Sequence, residues 1–323
     1  MDEAQNMDVC EPGTKGGVLV TGGTGFIGGA LVPHFLSMGY RVSVFTRDIT
    51  RAQKLLPKSV RCVNRLRHLD SDAVSAGVVN LAGANLAAKR WSAAYKSHIL
   101  ASRVQLTKNL VDWFAELPTP PRCLISGSAI GFYGDHGDDI LTESSKPALG
   151  FSHALCRDWE QAARAAEAVG TRVCLARLGV VMDARGGAFE QMLLPYRFKL
   201  GVTLGRGDNW LSWIYRADAV RALAFLLEDD NSAGVFNLCA PEPVRVSEFA
   251  AQLRQRWPVV IKCSAPGFLL RLGLGEFASE VLLASQRVMP EHLQAVGYDF
   301  TLPNVAALLD YLAVSLGAKS MDR

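Results

Sequence analysis

The chain has 323 residues, 49% of them apolar and 20% charged, with a net charge of +3. That composition supports a large buried core and excludes wholesale disorder, and the charge balance is too slight for a nucleic-acid or anionic-membrane partner. No apolar run reaches the ~18 residues of a spanning helix. The polar, acidic opening MDEAQNMDVCEPGTKG has neither the apolar stretch of a secretory signal nor the arginines of a transit peptide, so a cytoplasmic protein is expected.

Residues 1–15 are expected as a disordered tail. From residue 16, short β-rich runs alternate with helical stretches. GVLVTG (17–22), RVSVFT (41–46), GVVNLA (77–82), CLISGS (123–128) and RVCLARL (172–178) are nearly continuous in apolar residues, as parallel strands covered on both faces must be. Between them, 26–38, about 91–115 and about 152–169 carry helical periodicity. In the long one Trp91, Tyr95, Ile99, Leu106, Leu110 and Phe114 recur at helical spacing before Pro118 stops it. This alternation predicts a doubly wound α/β sheet. Beyond residue 183 glycines and prolines break the rhythm, although VFNLC (235–239) is one more core strand and 246–257 and 303–316 are amphipathic helices. The expected division is a nucleotide-binding domain over 16–183, with 235–239 returning to its sheet, and a small C-terminal α/β lobe over most of 184–323. The seven cysteines are scattered, with no C-x-x-C pair. That pattern predicts free thiols in a reducing compartment and no metal site.

The sharpest motif is VLVTGGTGFIGGAL, which sets Gly22, Gly25 and Gly28 between the first strand and the first helix. In that context glycine permits a tight turn, lets backbone N–H groups reach a pyrophosphate and seats the helix N-terminus behind the negative charge. At the end of the second strand, a site for NAD usually has a carboxylate that holds the ribose hydroxyls. Here stand Thr46 and Arg47, which can bind a 2′-phosphate, so NADP is the expected cofactor, although Asp48 follows at once.

With TGGTGFIG (21–28), NLAG (80–83) and SGSAIGFYG (126–134), the chain resembles the extended branch of the short-chain dehydrogenase/reductases. Within it, NLAGANLAAKRW, LASR, LCRDWEQAA, RLGVVM, MLLPYRFKLG and SQRVMPEHLQAVGY are similar to the subgroup called epimerase family proteins. The resemblance implies an extended Rossmann domain, a small C-terminal lobe and bound NADP, and it supplies no substrate beyond a small molecule. It further implies that Gly22, Gly25, Phe26, Ile27 and Gly28 cradle the pyrophosphate and that Thr46 and Arg47 meet the ribose phosphate. Leu81 and Ala82 would line the cofactor, His98 and Arg103 would stand on its adenine side, and Val181 would touch the nicotinamide end. For Leu81, Ala82 and Val181 a packing role holds with or without a ligand. The sequence departs from the subgroup at Ala84, where AGE is usual, and at Tyr215 and Ala217, where WIH-x-DD is usual; both changes bear on substrate-pocket polarity.

Reductases of this superfamily move a proton through a tyrosine with a lysine four residues on, a spacing that puts both on one helical face. No tyrosine here has Lys at +4; anchored on Glu160, the two positions fall at Ser152 and Cys156. Ser128 and Tyr133 are the remaining catalytic candidates, with His153 and Cys156 as a second choice. An NADP-dependent oxidoreductase or epimerase acting on a small polar, sugar-like molecule is therefore expected. The alternative is an NADP-binding module that reports redox state without turnover, and a homodimer is left open as its assembly.

Overall fold

The computed structural model describes residues 14–317, so the expected tail lies outside the described residues except for Thr14 and Lys15. Strands β1 (Gly17–Thr21), β2 (Arg41–Phe45), β3 (Arg61–Val63), β4 (Gly77–Asn80), β5 (Cys123–Ala129), β6 (Arg172–Leu178) and β7 (Gly234–Leu238) form one sheet. Their order is β7-β6-β5-β4-β1-β2-β3, and every neighbouring pair is parallel. This is the doubly wound Rossmann arrangement. The sequence did not mark β3, a three-residue strand paired to β2 only, which is too short to show periodicity.

Alternation along the strands builds two cores. Val18 and Val20 of β1, Val79 of β4 and Ile125 of β5 face one side, where helices α1 (Gly28–Ser37) and α7 (Arg216–Glu228) bury Leu31, Phe35, Leu223 and Leu227 against them. Leu19, Val78 and Leu124 face the other side. There α4 (Leu106–Glu116) contributes Leu110, Trp113 and Phe114, and α5 (Phe151–Arg164) contributes Ala163. Between β2 and β3 runs the short α2 (Ile49–Leu55). The long helix expected over 91–115 is composite: α3 (Ala93–Leu100) joins α4 through a π turn at Ala101–Gln105, the kind of one-residue irregularity that recurs at functional sites.

Helices α6 (Gly187–Leu193), α8 (Val246–Arg256) and α11 (Val305–Ser315), with Trp213 and Tyr215, enclose the separate core of the C-terminal lobe. Helix α9 (Gly267–Leu274) lies outside that core, and α10 (Glu291–Ala295) packs Leu293 against the main sheet. Helix α7 is one part of 184–323 that lies outside the lobe. That helix leads into β7 as its crossover and buries its apolar face on the main sheet, so it belongs with the nucleotide-binding domain although it falls within 184–323. Among the described residues no helix is long and apolar enough to cross a membrane.

A buried polar chain crosses the layers just below the C-terminal ends of β1 and β4. Thr21 Oγ1 donates to Asn80 Oδ1 (2.7 Å), Asn80 Nδ2 donates to Thr107 Oγ1 (2.8 Å), and Trp159 Nε1 donates to the same oxygen (3.0 Å). Thr107 in turn donates to the carbonyl of Arg103 in the π turn (2.7 Å). Thr107→Val keeps the shape but removes the shared acceptor. It should cost about 1–3 kcal/mol for each donor left unsatisfied, read as a lower urea midpoint at unchanged slope; an unmoved midpoint would show that the hydroxyl is not the hub.

Candidate functional site

The C-terminal ends of β1, β2 and β4 open onto a cleft of about 390 Å³. Its floor is the glycine-rich turn. Gly22 has φ +68°, and a Cβ there would lie 2.8 Å from the Leu81 carbonyl carbon, so both conformation and space demand glycine. A Cβ on Gly28 would meet the Gly22 carbonyl oxygen at 2.3 Å, which explains how closely α1 is seated. Gly25 differs: its Cβ would meet only the Gly22 oxygen, at 3.1 Å, and would otherwise project into the open turn. The N–H groups of Phe26 and Ile27, ahead of α1, have no acceptor among the described residues. A helix N-terminus with free donors fits a phosphate.

The far wall comes from β2 and α2. Asp48 caps α2, accepting from the Arg51 N–H at 2.9 Å, while its own N–H donates to Thr46 Oγ1 at 3.3 Å. The carboxylate that complicated the sequence-based choice of cofactor is thus committed to a helix cap. Arg47 and Arg51 both line the cleft, both are exposed, and neither is ion-paired among the described residues. The near wall is Leu81–Ala84, with Ala82 N–H held by Thr21 Oγ1 (3.1 Å). Behind it Arg103 donates to the Ala84 carbonyl (3.0 Å) and stacks over Trp159 (5.3 Å). Its guanidinium fills the space a Cβ on Gly83 would need, at 2.6 Å. Burial pulls the Arg103 guanidinium below its ordinary value, and it has no carboxylate partner among the described residues.

The catalytic candidates lie elsewhere. Arg177 holds Glu160 through two bonds, Nε to Oε1 (2.8 Å) and Nη2 to Oε2 (2.9 Å), with side chains only 4% and 7% exposed. Ser128 Oγ donates to Glu160 Oε1 (2.7 Å). Tyr133 is fully buried; its hydroxyl donates to Asn237 Oδ1 (2.7 Å) and accepts from Arg177 Nη1 (3.0 Å). Burial pushes the Tyr133 phenol up to about 12. Both hydroxyls of the expected Ser128–Tyr133 pair are thus bonded inside the protein, and neither residue is among those that line the cleft. His153 Nδ1 is bonded to the Phe132 carbonyl (3.1 Å), and burial pushes the Cys156 thiol up to about 11, so the second pair offers no activated nucleophile either.

The model of the NAD dependent epimerase/dehydratase family matches residues 18–239. The chain belongs to this family. A domain of unknown function, DUF1731, matches 265–312 of the same epimerase-family chain. An epimerase family protein of Staphylococcus haemolyticus is 36% identical over 89% of this chain and 95% of its own. The crystal structure of human epimerase family protein SDR39U1 with NADPH has a TM-score of 0.81 at 30% identity, covering 93% of this chain and 99% of that one. A nucleoside-diphosphate sugar epimerase from Corynebacterium glutamicum has a TM-score of 0.71 at 28% identity, covering 93% of this chain and 59% of that one.

Of the residues singled out in this epimerase-family sequence, Gly22, Gly25, Thr46, Arg47, Leu81, Ala82 and His98 line the one cleft, and Arg103 backs it. The side chains of four others do not line it. Phe26 turns away to pack beneath Arg216 (4.7 Å) and against Gly187; Ile27 and Val181 pack on the main core; Gly28, which has no side chain, allows the close seating of α1. Phe26 and Ile27 retain their backbone donors. Arg51 was missed, although its spacing of four from Arg47 at the start of a helix was visible in TRDITR. Arg177→Met should leave Glu160 buried without a counter-charge and cost about 3–5 kcal/mol in a guanidinium melt; a loss below about 1 kcal/mol would mean that the pair is dispensable to the fold.

Proposed function

We propose that this chain binds NADP(H) in the cleft and acts as an oxidoreductase or epimerase on a small polar, sugar-like molecule. One observation carries the cofactor half: two unpaired guanidinium groups, Arg47 and Arg51, stand at the end of β2 where an NAD site has a carboxylate, while Asp48 is engaged as a cap. The NADPH in the human relative's structure supports the same reading. Phe26 and Ile27 N–H groups would hold the pyrophosphate, Thr46, Arg47 and Arg51 the ribose phosphate, and Leu81 and Ala82 the apolar face of the cofactor. His98 would stand on its adenine side. Bound there, the nicotinamide would donate or accept a hydride.

The residues of the chain bind, orient and exclude water; the usual phenol and amine on α5 are replaced by Ser152 and Cys156, and the Tyr133 hydroxyl is engaged by Asn237 and Arg177. A proton step, where the substrate needs one, falls to substrate groups or water. That same replacement favours a second reading, an NADP-binding module that reports redox state to a partner. Loss of NADPH absorbance during incubation with a metabolite pool would support turnover; cofactor-dependent binding of a protein partner without such loss would support the module.

The protein should bind NADP(H) more tightly than NAD(H). Arg47→Glu and Arg51→Glu should each weaken NADP(H) at least about tenfold, the scale of one charged hydrogen bond, and leave NAD(H) nearly unchanged. Equal affinities for the two cofactors in the unaltered protein, by fluorescence titration, would defeat the assignment.

Gly25→Val should abolish binding of either cofactor while circular dichroism and melting temperature change little, because the added side chain projects into the pyrophosphate approach and meets little protein. Retained affinity in that variant would move the phosphate site away from the turn.

A further inference from the structure

We propose that residues 266–283 form a lid over the start of α5, clasped shut by the Glu280 carboxylate. The segment is held firmly on both sides. The strand before it, Ile261–Ala265, pairs with Leu200–Leu204 in the C-terminal lobe. After it, Ser285 and Gln286 are buried, and Gln286 Nε2 donates to the carbonyls of Ile130 and Gly134 (3.1 Å each). Between these anchors little is buried. Helix α9 has no buried residue, and Phe268 and Leu272 are 66% and 72% exposed. An element with so few apolar contacts belongs to the low-stability end of a fold, from which moving parts are drawn.

What holds the segment down is a group of contacts at its second half, most of them to the nucleotide-binding domain; from the lobe, Asn209 Nδ2 donates to the Leu282 carbonyl (3.4 Å). Glu280 accepts from the backbone N–H of Phe151 (3.0 Å) and of Ser152 (2.6 Å), the first residues of α5. Glu276 is ion-paired with Lys96 of α3. Phe277 meets Trp91 edge-on (5.7 Å), and Trp91 meets Phe151 in the same way (5.1 Å). Gly150 leaves the room for this, since a Cβ there would stand 3.1 Å from Glu280 Oε1. Hinges are supplied by Pro266–Gly267 on one side and by Gly275 (φ +65°) within the segment.

The clasp is polar and reversible by construction. A carboxylate over a helix N-terminus is favourable but exchangeable with water, and the aromatic contact is a few edges deep. It falls on the backbone of Ser152, one of the two positions where the family resemblance puts a catalytic pair, so opening it would uncover the start of α5 and closing it would keep water from that end. This inference rests on the dinucleotide reading of the cleft, and its test separates the two.

Hydrogen exchange of the full chain without cofactor is compared for the unaltered protein, Glu280→Gln and, as a second variant acting through packing alone, Phe277→Ala. Exchange should accelerate at least tenfold in peptides covering 266–283 and 150–155, with the strands of the central sheet unchanged. Unchanged exchange in both variants, or acceleration spread equally through the sheet, would overturn the lid. NADPH release followed by stopped-flow fluorescence should then be several-fold faster in Glu280→Gln; unaltered release beside accelerated local exchange would overturn its bearing on the cofactor. Failure of the unaltered protein to bind NADPH would count against the dinucleotide reading, and the exchange result would still decide whether the segment is a lid.

Discussion

The Arg177–Glu160 pair is the constraint on which the upper half of this molecule depends. Two almost fully buried charges are tolerated because they are bonded twice to each other and each is bonded to a buried hydroxyl as well. Glu160 on α5 takes both forks of Arg177 on β6 and the hydroxyl of Ser128 on β5; Arg177 adds the Tyr133 hydroxyl and lies 3.4 Å over the Phe132 ring. Through Tyr133 the set reaches Asn237 on β7, whose Nδ2 donates to the Met289 carbonyl (2.9 Å). One ion pair therefore fixes the relative positions of three strands, a helix, the loop after β5 and the returning C-terminal segment.

That fixed set stands beside the cleft and shapes it at one remove. Trp159 is on the same helix as Glu160 and donates to Thr107, which is also the acceptor of Asn80. The wall residue Ala82 and the π-turn carbonyl of Arg103 hang from this chain. The cleft is thus framed by two buried polar networks meeting on α5, with the exposed Arg47 and Arg51 on its far wall and the proposed lid crossing α5 at its start. Rigid walls with a mobile cover are what a site needs if it must both recognise a cofactor and keep water out.

The glycine-rich turn and six of the seven strands were legible in the sequence because their causes are local. Parallel strands buried on both faces read as unbroken apolar runs, and Gly22 answers to its own φ and to a chain crossing directly above it. The allegiance of α7 was not legible, because an amphipathic helix does not say which of two apolar surfaces it covers. Nor was the buried network. Arg177 meets Tyr133 across 44 positions and Tyr133 meets Asn237 across 104, so a tyrosine that looks like a spare catalyst on its loop is a beam in the frame. Arg51 was a different failure: its spacing was on view, but its importance rests on Asp48 turning to cap α2, which only the fold reveals.

The π turn at Ala101–Gln105 carries one residue more than a regular helix would need to join α3 to α4. Each residue of an α-helix advances roughly 100° around the axis. The wide turn takes up that residue where it stands, so the half of the helix that packs on the sheet and the half that looks toward the cleft keep their phase on either side of it. A single deletion within 101–105 would let a regular helix run through, leaving Leu110 and Phe114 in the core and His98 at the cleft, and its effect would fall on the turn itself: the Arg103 guanidinium that holds the Ala84 carbonyl and the Arg103 carbonyl to which Thr107 donates.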